Sequence, residues 1–524
     1  MNKLILSISF CYHDSAVTIS DGDSILLHLE AERVFREKHK KISTFLETDY
    51  LVKTALEYIN KNIDDVEEVL VTKWKNIYPP KEAIICGRKF KYELSDHHNN
   101  HIGVVLPNST DKCVIYVSDG GSENGTTKVY FKDKEKIYLK EDLDKVNFTG
   151  MFYGTVAQLI INPDFDEAHT SGVGKLMGLS SLGNYSKKYE KLIMENINDL
   201  NKLNLDGIDY LRDRFGLSNN YNDIWKDKDR LDFACTANTL WVNNNVKYLK
   251  KYNSYSRNIC MTGGCALNII LNSKLIEDKI YDNVYTSPIT TDAGQSLGAI
   301  LYKYPNIKIN YPFNGRSFGD IENINYDEII ADLLDNKIIA WYQGSSEIGA
   351  RALGHRSFIG LPSSEENRIK LSEKIKGREP YRPVAAIVLE ESVSKYFYQD
   401  YISPYMTFCS KVKDITKKEA KAIVHYDNTT RIQTINKEQN IYLYNLLKKM
   451  EEKGIPPIIM NSSLNVMGEP IVDTIDDAIK TFNKSKADVL YINGEKKENK
   501  YVYSSRRNGW SRKINSSKKT IKSI

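Results

Sequence analysis

The sequence lacks features that would each define a class of protein. None of the seven cysteines in the 524-residue chain forms a Cys-x-x-Cys pair, and this odd, scattered set argues against a disulfide framework and a zinc ribbon. No apolar run approaches the ~18 residues of a membrane span. The apolar residues 1–10 have no small-residue cleavage site and fit a first β-strand better than a signal peptide. We therefore expect free thiols and a cytoplasmic protein without a membrane partner.

Acidic residues are absent from the C-terminal end, where seven Lys and Arg residues lie between positions 501 and 524. This segment accounts for the formal net charge of +5, and the rest of the chain is slightly acidic. Basic residues together with Trp510 can follow the backbone of a nucleic acid. A flexible, solubilising tail explains the same composition without a partner.

Histidine is also scarce, with nine residues in the chain, yet three of them lie within the segment Asp96–His101. His97 and His101 are four residues apart, so they would project from one face of a helix. This spacing is typical of metal ligands, although ordinary surface helices contain it as well. The segment therefore predicts a metal site only together with a second motif.

A second motif follows in the next twenty residues or so. The run Lys112–Val117 is short, apolar and β-branched, which predicts a buried strand, and Asp119-Gly120-Gly121 comes directly after it. Sheets of α/β proteins bind ligands at the carboxyl ends of their strands. Two glycines let a phosphate approach the backbone N–H groups. Together the two motifs predict a metal next to a phosphate.

Further acidic and glycine motifs suit the same site. Gly263-Gly264 separates a predicted strand from a predicted helix, an arrangement that allows a nucleotide to lie on the backbone. Asp292 precedes another predicted helix, where it can cap that helix or act as a fourth metal ligand. Residues 171–179 predict a glycine-spaced loop that is not a Walker A sequence.

Beyond a predicted linker at residues 304–319, cations replace the glycine turns. They lie in short segments beside Gly and Pro, which scattered surface salt bridges would not explain. Planar guanidinium groups bind phosphate and carboxylate oxygens in pairs. We therefore expect an anion site, formed by Arg351, Lys376, Arg378, Arg382 and Arg431.

Ten segments in this order resemble the O-carbamoyltransferase family of antibiotic and nodulation-factor biosynthesis. They are CYHDSA, ERVFREKHKK, DHHNNH, SDGGSENG, GKLMGL, TGGCALN, TTDAGQSLGA, GARALGHRS, KIKGREPYRPVA and NSSLNVMGEPIV. The resemblance implies an α/β fold with an actin-like domain over residues 1–315 and a YrdC-like domain over residues 325–496. It leaves residues 497–524 as a basic tail.

The resemblance also implies a reaction. The C-terminal domain would form carbamoyl-adenylate from carbamoyl phosphate and ATP, and the N-terminal domain would transfer the carbamoyl group to a hydroxyl of a small natural product or sugar. A hydroxymethylated pyrimidine in a nucleotide or nucleic acid is an alternative acceptor. A tRNA threonylcarbamoyl-transfer enzyme is an alternative function. A non-catalytic ATP-binding scaffold is disfavoured, because both the metal motif and the cation set are present.

The resemblance assigns each candidate residue a role. Iron(II) is the metal in the family, but two imidazoles and two carboxylates also suit manganese or zinc. The expected metal ligands are His97, His101, Asp119 and Asp292. The residues expected at the nucleotide phosphates are Asp119, Gly120, Gly121, Gly263, Gly264 and Lys38. Carbamoyl phosphate and the adenylate would be held by Arg351, Lys376, Arg378, Arg382, Arg431, Asn461 and Ser463. His13, in the first polar loop, is the candidate for acid–base or transition-state work.

Overall fold

The computed structural model of the chain describes residues 4–73, 82–121, 125–143, 148–202, 207–321, 324–399 and 401–497. Three sheets contain all the strands of these residues. All seven cysteines are free, as predicted. None of the helices in these ranges has both the length and the apolar character needed to cross a membrane. The predicted basic tail, apart from Lys497, lies outside the described residues.

The first sheet begins with the β-strand that residues 1–10 predict. Its central strand is buried at all seven positions because helices and strands cover both of its faces. The strand order is β3-β2-β1-β4-β6-β5, with β1, β2 and β3 antiparallel and with β4 parallel to both β1 and β6. The strands are β1 Leu4–Phe10, β2 Ala16–Ser20, β3 Ile25–Glu30, β4 Val66–Lys73, β5 Glu82–Ile85 and β6 Arg88–Leu94. The helices are α1 Ala31–Phe35, α2 Phe45–Tyr58 and α3 His97–Gly103.

The second sheet repeats the topology of the first. It has the order β11-β10-β7-β8-β9, in which two antiparallel strands follow the central strand on one side and two parallel strands lie on the other. This duplication confirms the α/β prediction and agrees with an actin-like N-terminal half. The strands are β7 Lys112–Ser118, β8 Thr127–Asp133, β9 Lys136–Asp142, β10 Asn258–Thr262 and β11 Asn283–Thr286. The helices are α4 Gly150–Ile160, α5 Phe165–Glu167, α6 Val173–Leu179, α7 Lys187–Glu195, α8 Ile197–Leu200, α9 Ile208–Phe215, α10 Lys228–Leu249, α11 Ile269–Glu277 and α12 Gln295–Lys303.

The prediction of a glycine-spaced loop at residues 171–179 is wrong, because this segment is helical. A π-helical turn, Ala168–Gly172, continues directly into α6. Ala168, Leu176 and Leu179 are fully buried on the inner face of this helix. The burial of that apolar face outweighs the low helix propensity of the glycines.

The third sheet, of eight mixed strands, forms the C-terminal half, in the order β15-β16-β14-β17-β13-β12-β18-β19. Arg431 and Ser463 lie within its strands. Both lie in runs of mostly buried residues that pair with neighbouring strands. The strands are β12 Ile339–Tyr342, β13 Arg356–Gly360, β14 Ala385–Leu389, β15 Phe408–Lys411, β16 Thr429–Ile435, β17 Ile458–Ser463, β18 Val489–Ile492 and β19 Glu495–Lys497. The helices are α13 Tyr326–Leu334, α14 Glu365–Ile369, α15 Val393–Tyr396, α16 Asp414–Glu419, α17 Ile441–Glu452 and α18 Ile475–Ser485.

Candidate active site

Two imidazoles and two carboxylates converge near the carboxyl end of β7. His97 Nε2 lies 3.3 Å from Asp119 Oδ2 and 3.4 Å from Asp292 Oδ1. His101 Nε2 lies 3.7 Å and 3.5 Å from the same two oxygens. The two Nε2 atoms are 3.1 Å apart, and the four donor atoms lie within 4.8 Å of one another. The structure thus brings the predicted ligand set, hereafter the quartet, together at one point.

The quartet has the chemistry of a cation site. Asp292 Oδ1 is buried and accepts no hydrogen bond from the described residues, so this carboxylate does not cap the helix that follows it. Burial alone would lower the pKa of His101, but its contacts with Asp119 and Asp292 raise that pKa to about 9. Burial would raise the pKa of Asp119, but His101 and His97 hold it well below its usual range. One cation shared by the four side chains would satisfy the unpartnered oxygen and both opposed nitrogens.

The crossing of α3 and α12 places the imidazoles against Asp292. A Cβ on Gly103 would lie 2.1 Å from the carbonyl oxygen of Gly298, and a Cβ on Gly298 would lie 1.9 Å from that of Asn100. Asn100 Nδ2 donates to Gln295 Oε1 at 3.0 Å, and Gln295 Nε2 donates to the His97 carbonyl at 3.2 Å. Two glycines and two amides therefore fix the distance between the helices.

The predicted glycine turns lie beside the quartet. Asp119 Oδ1 accepts the N–H of Gly264 at 2.9 Å. Gly263 has a φ of +85°, and a Cβ there would lie 2.2 Å from a backbone oxygen of β7, so only glycine fits. A Cβ on Gly120 would meet nothing within 4 Å, and one on Gly121 would meet only a side-chain methyl group at 3.9 Å. Open space therefore adjoins the backbone next to Asp119.

His13 is held by a partner that the sequence did not predict. Its Nδ1 lies 2.9 Å from Asp14 Oδ2, and the other oxygen of Asp14 lies 2.9 Å from His39 Nδ1. Burial opposes protonation of His13, yet Asp14, with smaller contributions from Asp292 and Asp119, raises its pKa to about 10. His13 therefore carries a positive charge at neutral pH and lies near the carboxylates of the quartet.

Lys38 lies between the two halves of the protein. Its Nζ donates to Ser171 Oγ in the π-helical turn at 2.8 Å. Burial lowers the pKa of Lys38, and the charges of Arg382 and Lys175 lower it further. An ion pair between Lys175 and Glu379, with an N–O distance of 3.1 Å, joins α6 to the C-terminal half. Lys38 thus faces the cations of that half.

Those cations form a second cluster. Burial, followed by the charge of Arg382, lowers the pKa of Arg378 to about 9 and that of Arg351 to about 10. Burial and the neighbouring arginines lower the pKa of Arg431 well below its usual range. The Nε atoms of Arg351 and Arg431 are buried and have no hydrogen-bond partner within the described ranges. This group is the cation cluster, and it consists of Arg351, Lys376, Arg378, Arg382 and Arg431.

The two polar residues predicted beside the cluster differ in position. Ser463 is in the cluster, because Lys376 Nζ donates to its carbonyl oxygen at 2.5 Å and to its Oγ at 3.2 Å. Asn461 instead uses its Nδ2 to bind the Ala352 carbonyl at 3.0 Å and Gln433 Oε1 at 2.9 Å. The amide N–H groups of Asn461 therefore fix the loop next to Arg351 rather than point into the cluster.

A cavity of about 140 Å³ opens beside Arg382. Arg368, Pro383 and His425 are among the residues that line it. Arg382 is the member of the cation cluster that belongs to its lining.

The described residues form an α/β protein with a candidate cation site at the quartet and a candidate anion site at the cation cluster. The model of the carbamoyltransferase N-terminus matches residues 75–301, and that of the carbamoyltransferase C-terminus matches residues 330–497. Together the two matches include most of the chain, in the order that the family requires. The chain belongs to the carbamoyltransferase family.

Relatives and solved structures similar to the chain vary in coverage. The nodulation protein NolNO of Sinorhizobium fredii is 24% identical over 94% of this chain and 79% of its own length. The 3'-hydroxymethylcephem-O-carbamoyltransferase of Amycolatopsis lactamdurans is 28% identical over 42% of this chain and 44% of its own length. The activator of the 2-hydroxyisocaproyl-CoA dehydratase from Clostridium difficile, a solved structure, is 15% identical with a TM-score of 0.35 and covers 58% of this chain and 95% of its own.

Proposed function

We propose that the protein is an ATP-dependent O-carbamoyltransferase that makes carbamoyl-adenylate in a YrdC-like C-terminal half and uses it in the N-terminal half. The observation that supports this proposal is that Lys38 of the N-terminal half lies close to the cation cluster of the C-terminal half. The charge of Arg382 lowers the pKa of Lys38, and the charge of Lys38 contributes to the lowered pKa of Lys376. In this proposal an intermediate made at the cation cluster is formed close to Lys38 and passes to the quartet without entering bulk water, in which it would hydrolyse.

The cation cluster suits the first half-reaction. Carbamoyl phosphate loses its phosphate to water and gives carbamate, whose oxygen attacks the α-phosphorus of ATP while pyrophosphate leaves. This step brings several anionic oxygens together, and preorganised cations offset their repulsion. Without such a ligand Arg351 and Arg378 are each destabilised in their charged form, because burial and then the charge of Arg382 lower the pKa of both. Lys376, held by Ser463, is the third cation of this step.

The quartet suits the second half-reaction. In this proposal His97, His101, Asp119 and Asp292 hold a divalent metal, with iron(II) favoured by the family and manganese or zinc compatible with the donors. When bound, the metal supplies positive charge that steadies the adenylate phosphate. The N–H groups beside the open space at Gly120 are positioned to bind the same phosphate.

His13 and Lys38 are assigned to charge stabilisation. The acceptor oxygen attacks the carbamoyl carbon, the bond from that carbon to the oxygen of AMP breaks, and the hydroxyl proton passes to the released AMP phosphate or to water. Since its pKa is raised to about 10, His13 is already protonated and cannot take the hydroxyl proton at neutral pH. It can instead stabilise the negative charge that develops on the carbamoyl oxygen. Lys38 lies at the boundary between the halves. It can contact the adenylate phosphate as the intermediate passes from the cation cluster to the quartet.

The acceptor is proposed to be the hydroxyl of a small natural product or sugar. The name of the Amycolatopsis relative specifies a hydroxymethyl acceptor for that protein, which supports an alcohol here. A hydroxymethylated pyrimidine, in a nucleotide or in nucleic acid bound by the basic tail, is the second acceptor class. Threonine and bicarbonate would replace carbamoyl phosphate in a tRNA threonylcarbamoyl-transfer enzyme.

The test is incubation of the full chain with ATP, Mn²⁺ and ¹³C-labelled carbamoyl phosphate over pooled hydroxylated acceptors. Mass spectrometry should detect a product heavier by about 44 daltons, one dalton more than with unlabelled carbamoyl phosphate, as expected for acyl transfer to oxygen. Arg382→Ala should abolish pyrophosphate release, whereas Arg257→Ala, which alters a partly exposed arginine remote from both clusters, should not. Pyrophosphate release that needs threonine and bicarbonate instead of carbamoyl phosphate would contradict the proposal.

A further inference from the structure

A buried ion pair of the N-terminal half grips one glycine of the C-terminal half. Gly349 donates its N–H to Glu30 Oε1 at 2.7 Å, and its carbonyl accepts from Arg33 Nη2 at 3.0 Å. Arg33 Nη1 donates to Ser346 Oγ at 2.5 Å, and Arg33 Nη2 lies 3.5 Å from Glu30 Oε1. Both backbone groups of Gly349 are therefore bound by side chains from the other half.

Gly349 also contacts the segment that carries a quartet ligand. It has a φ of +92°, and a Cβ there would lie 2.3 Å from the carbonyl oxygen of Pro288. Pro288 belongs to the Asp292 loop, residues 287–294, which joins β11 to α12. A side chain at Gly349 would push this loop away from its place beside α3.

The loop to which Gly349 itself belongs carries one residue of the cation cluster. Gly349 belongs to the Arg351 loop, residues 343–355, between β12 and β13. Glu347 Oε1 stiffens this loop by accepting the N–H groups of Leu353 at 2.6 Å and Arg356 at 3.2 Å. A shift of Gly349 is therefore transmitted to Arg351 instead of being absorbed locally.

The segment that contains Glu30 and Arg33, whose side chains bind Gly349, continues into the Lys38 loop, residues 36–44. Arg36 leaves α1 in a left-handed conformation and donates to the carbonyls of Pro470 and Ile471 at 3.0 Å and 2.7 Å. Lys38 follows two residues later. The stretch from Glu30 to Arg36 is thus docked on the C-terminal half at both ends before the chain reaches Lys38.

We propose that Glu30 and Arg33 are positioning residues. Through Gly349 they hold three loops in register, that is, in fixed positions relative to one another, namely the Lys38, Arg351 and Asp292 loops. This inference rests on the proposed function, because register matters only if an intermediate passes between the clusters. A buried ion pair is a poor source of net stability, since its desolvation offsets its attraction. Its use is the fixed direction of its hydrogen bonds, which no pair of apolar side chains would provide. The contacts of Glu30 and Arg33 with Gly349 form a joint between the two halves. This joint keeps the passage between the quartet and the cation cluster closed to water.

The experiment measures leakage of the intermediate in the full chain without any acceptor. With Mn²⁺, carbamoyl phosphate and ATP labelled in its β and γ phosphates, the unaltered protein should release one equivalent of pyrophosphate per site and then slow down. Arg33→Lys keeps the charge but cannot span Ser346 and Gly349. Its burst should be unchanged, and its later rate should rise about tenfold, since a charge-assisted hydrogen bond is lost. Ser346→Ala, a milder change from the other side of the same contact, should raise the later rate in the same direction.

Three comparisons make the outcome decisive. Arg88→Lys alters an arginine that binds the carbonyls of Ile63 and Val66 within the first sheet, and it should leave both phases unchanged. The double variant Arg33→Lys/Ser346→Ala should leak no more than the worse single variant, because the two changes remove one shared contact. A later rate equal to that of the unaltered protein in both single variants, or a reduced burst without faster leakage, would overturn the inference while leaving the proposed function intact. Absence of any carbamoyl-phosphate-dependent burst in the unaltered protein would overturn the proposed function itself.

Discussion

The backbone of Gly103 crosses that of Gly298 so closely that a Cβ on Gly103 would lie 2.1 Å from the Gly298 carbonyl oxygen. This contact sets the helix of the two imidazoles against the helix that follows Asp292. We predict that Gly298→Ala separates the two helices, lowers stability by about 1–3 kcal/mol through overpacking, and weakens binding of Mn²⁺. Thermal unfolding and Mn²⁺ titration measure the two effects.

Gly174→Ala is the matched control for that prediction. Gly174 lies in α6, and a Cβ there would meet nothing within 4 Å, so alanine should be neutral or slightly stabilising. Wild-type Mn²⁺ affinity in Gly298→Ala would show that the glycine contact does not set the geometry of the quartet.

The quartet itself yields a prediction about metal content. His101→Ala removes a nitrogen that lies within 3.7 Å of both carboxylates, and Asp292→Asn removes the negative charge of an oxygen that no described group satisfies. Each should reduce Mn²⁺ affinity by at least about 100-fold, since altering only the outer partners of metal ligands costs about 10–100-fold. Elemental analysis after dialysis against Mn²⁺ gives the metal per chain.

His425→Gln provides the control, because His425 binds the Tyr381 carbonyl in the other half of the protein. It should retain the metal content of the unaltered protein. One equivalent of metal in His101→Ala would mean that the imidazole is not a ligand.

The sequence predicted those parts of the site that are encoded locally. His97 and His101 lie on one helix, and Asp119 follows one strand, so spacing alone places them. Their contact with Asp292 depends on the crossing of two helices that are nearly two hundred residues apart in sequence. Composition and periodicity do not predict such a crossing. The residue pattern left Asp292 as either a helix cap or a fourth ligand, the family resemblance favoured the ligand, and the Gly103–Gly298 contact explains why it lies there.

Other contacts of the candidate residues also depend on the tertiary fold. Asn461 is expected to bind a ligand; its Nδ2 is engaged by Ala352 and Gln433, a tertiary contact that leaves no trace in sequence spacing, whereas its buried Oδ1 has no hydrogen-bond partner among the described residues. Asp14 is adjacent to His13 in the sequence, but its contact with His39 depends on a left-handed backbone at Asp14 and at His39, with φ values of 58° and 56°. Polar residues identify a site from sequence, and only the fold shows which of them are already bound.

The cation cluster predicts a trade between stability and binding. Arg378 is half-buried among like charges, and burial together with the charge of Arg382 lowers its pKa to about 9. Arg378→Met should therefore raise the unfolding temperature of the ligand-free protein and abolish the further rise that pyrophosphate causes in the unaltered protein. A ligand at about 100 times its Kd stabilises by about 2.7 kcal/mol, which is readily measured by thermal unfolding.

Arg214→Met serves as the control for charge removal, because Arg214 is exposed and its guanidinium donates only to the Tyr210 hydroxyl. It should leave the response to pyrophosphate intact. A full pyrophosphate shift in Arg378→Met would exclude this arginine from the anion site.

Glu30 makes the joint between the halves sensitive to pH. Burial raises the pKa of its carboxyl from an ordinary 4.5 to about 7, although Arg33 opposes that rise. The folded protein therefore binds a proton here more tightly than the unfolded chain does, so the stabilisation is complete below pH 4.5 and is lost as pH rises through 7. Relative to Glu30→Gln, which resembles the protonated carboxyl at every pH, the unaltered protein should lose on the order of 3 kcal/mol between these limits. Thermal unfolding of both proteins from pH 5 to pH 8 should show their difference shrinking or reversing, and a constant difference would place the titration of Glu30 outside this range.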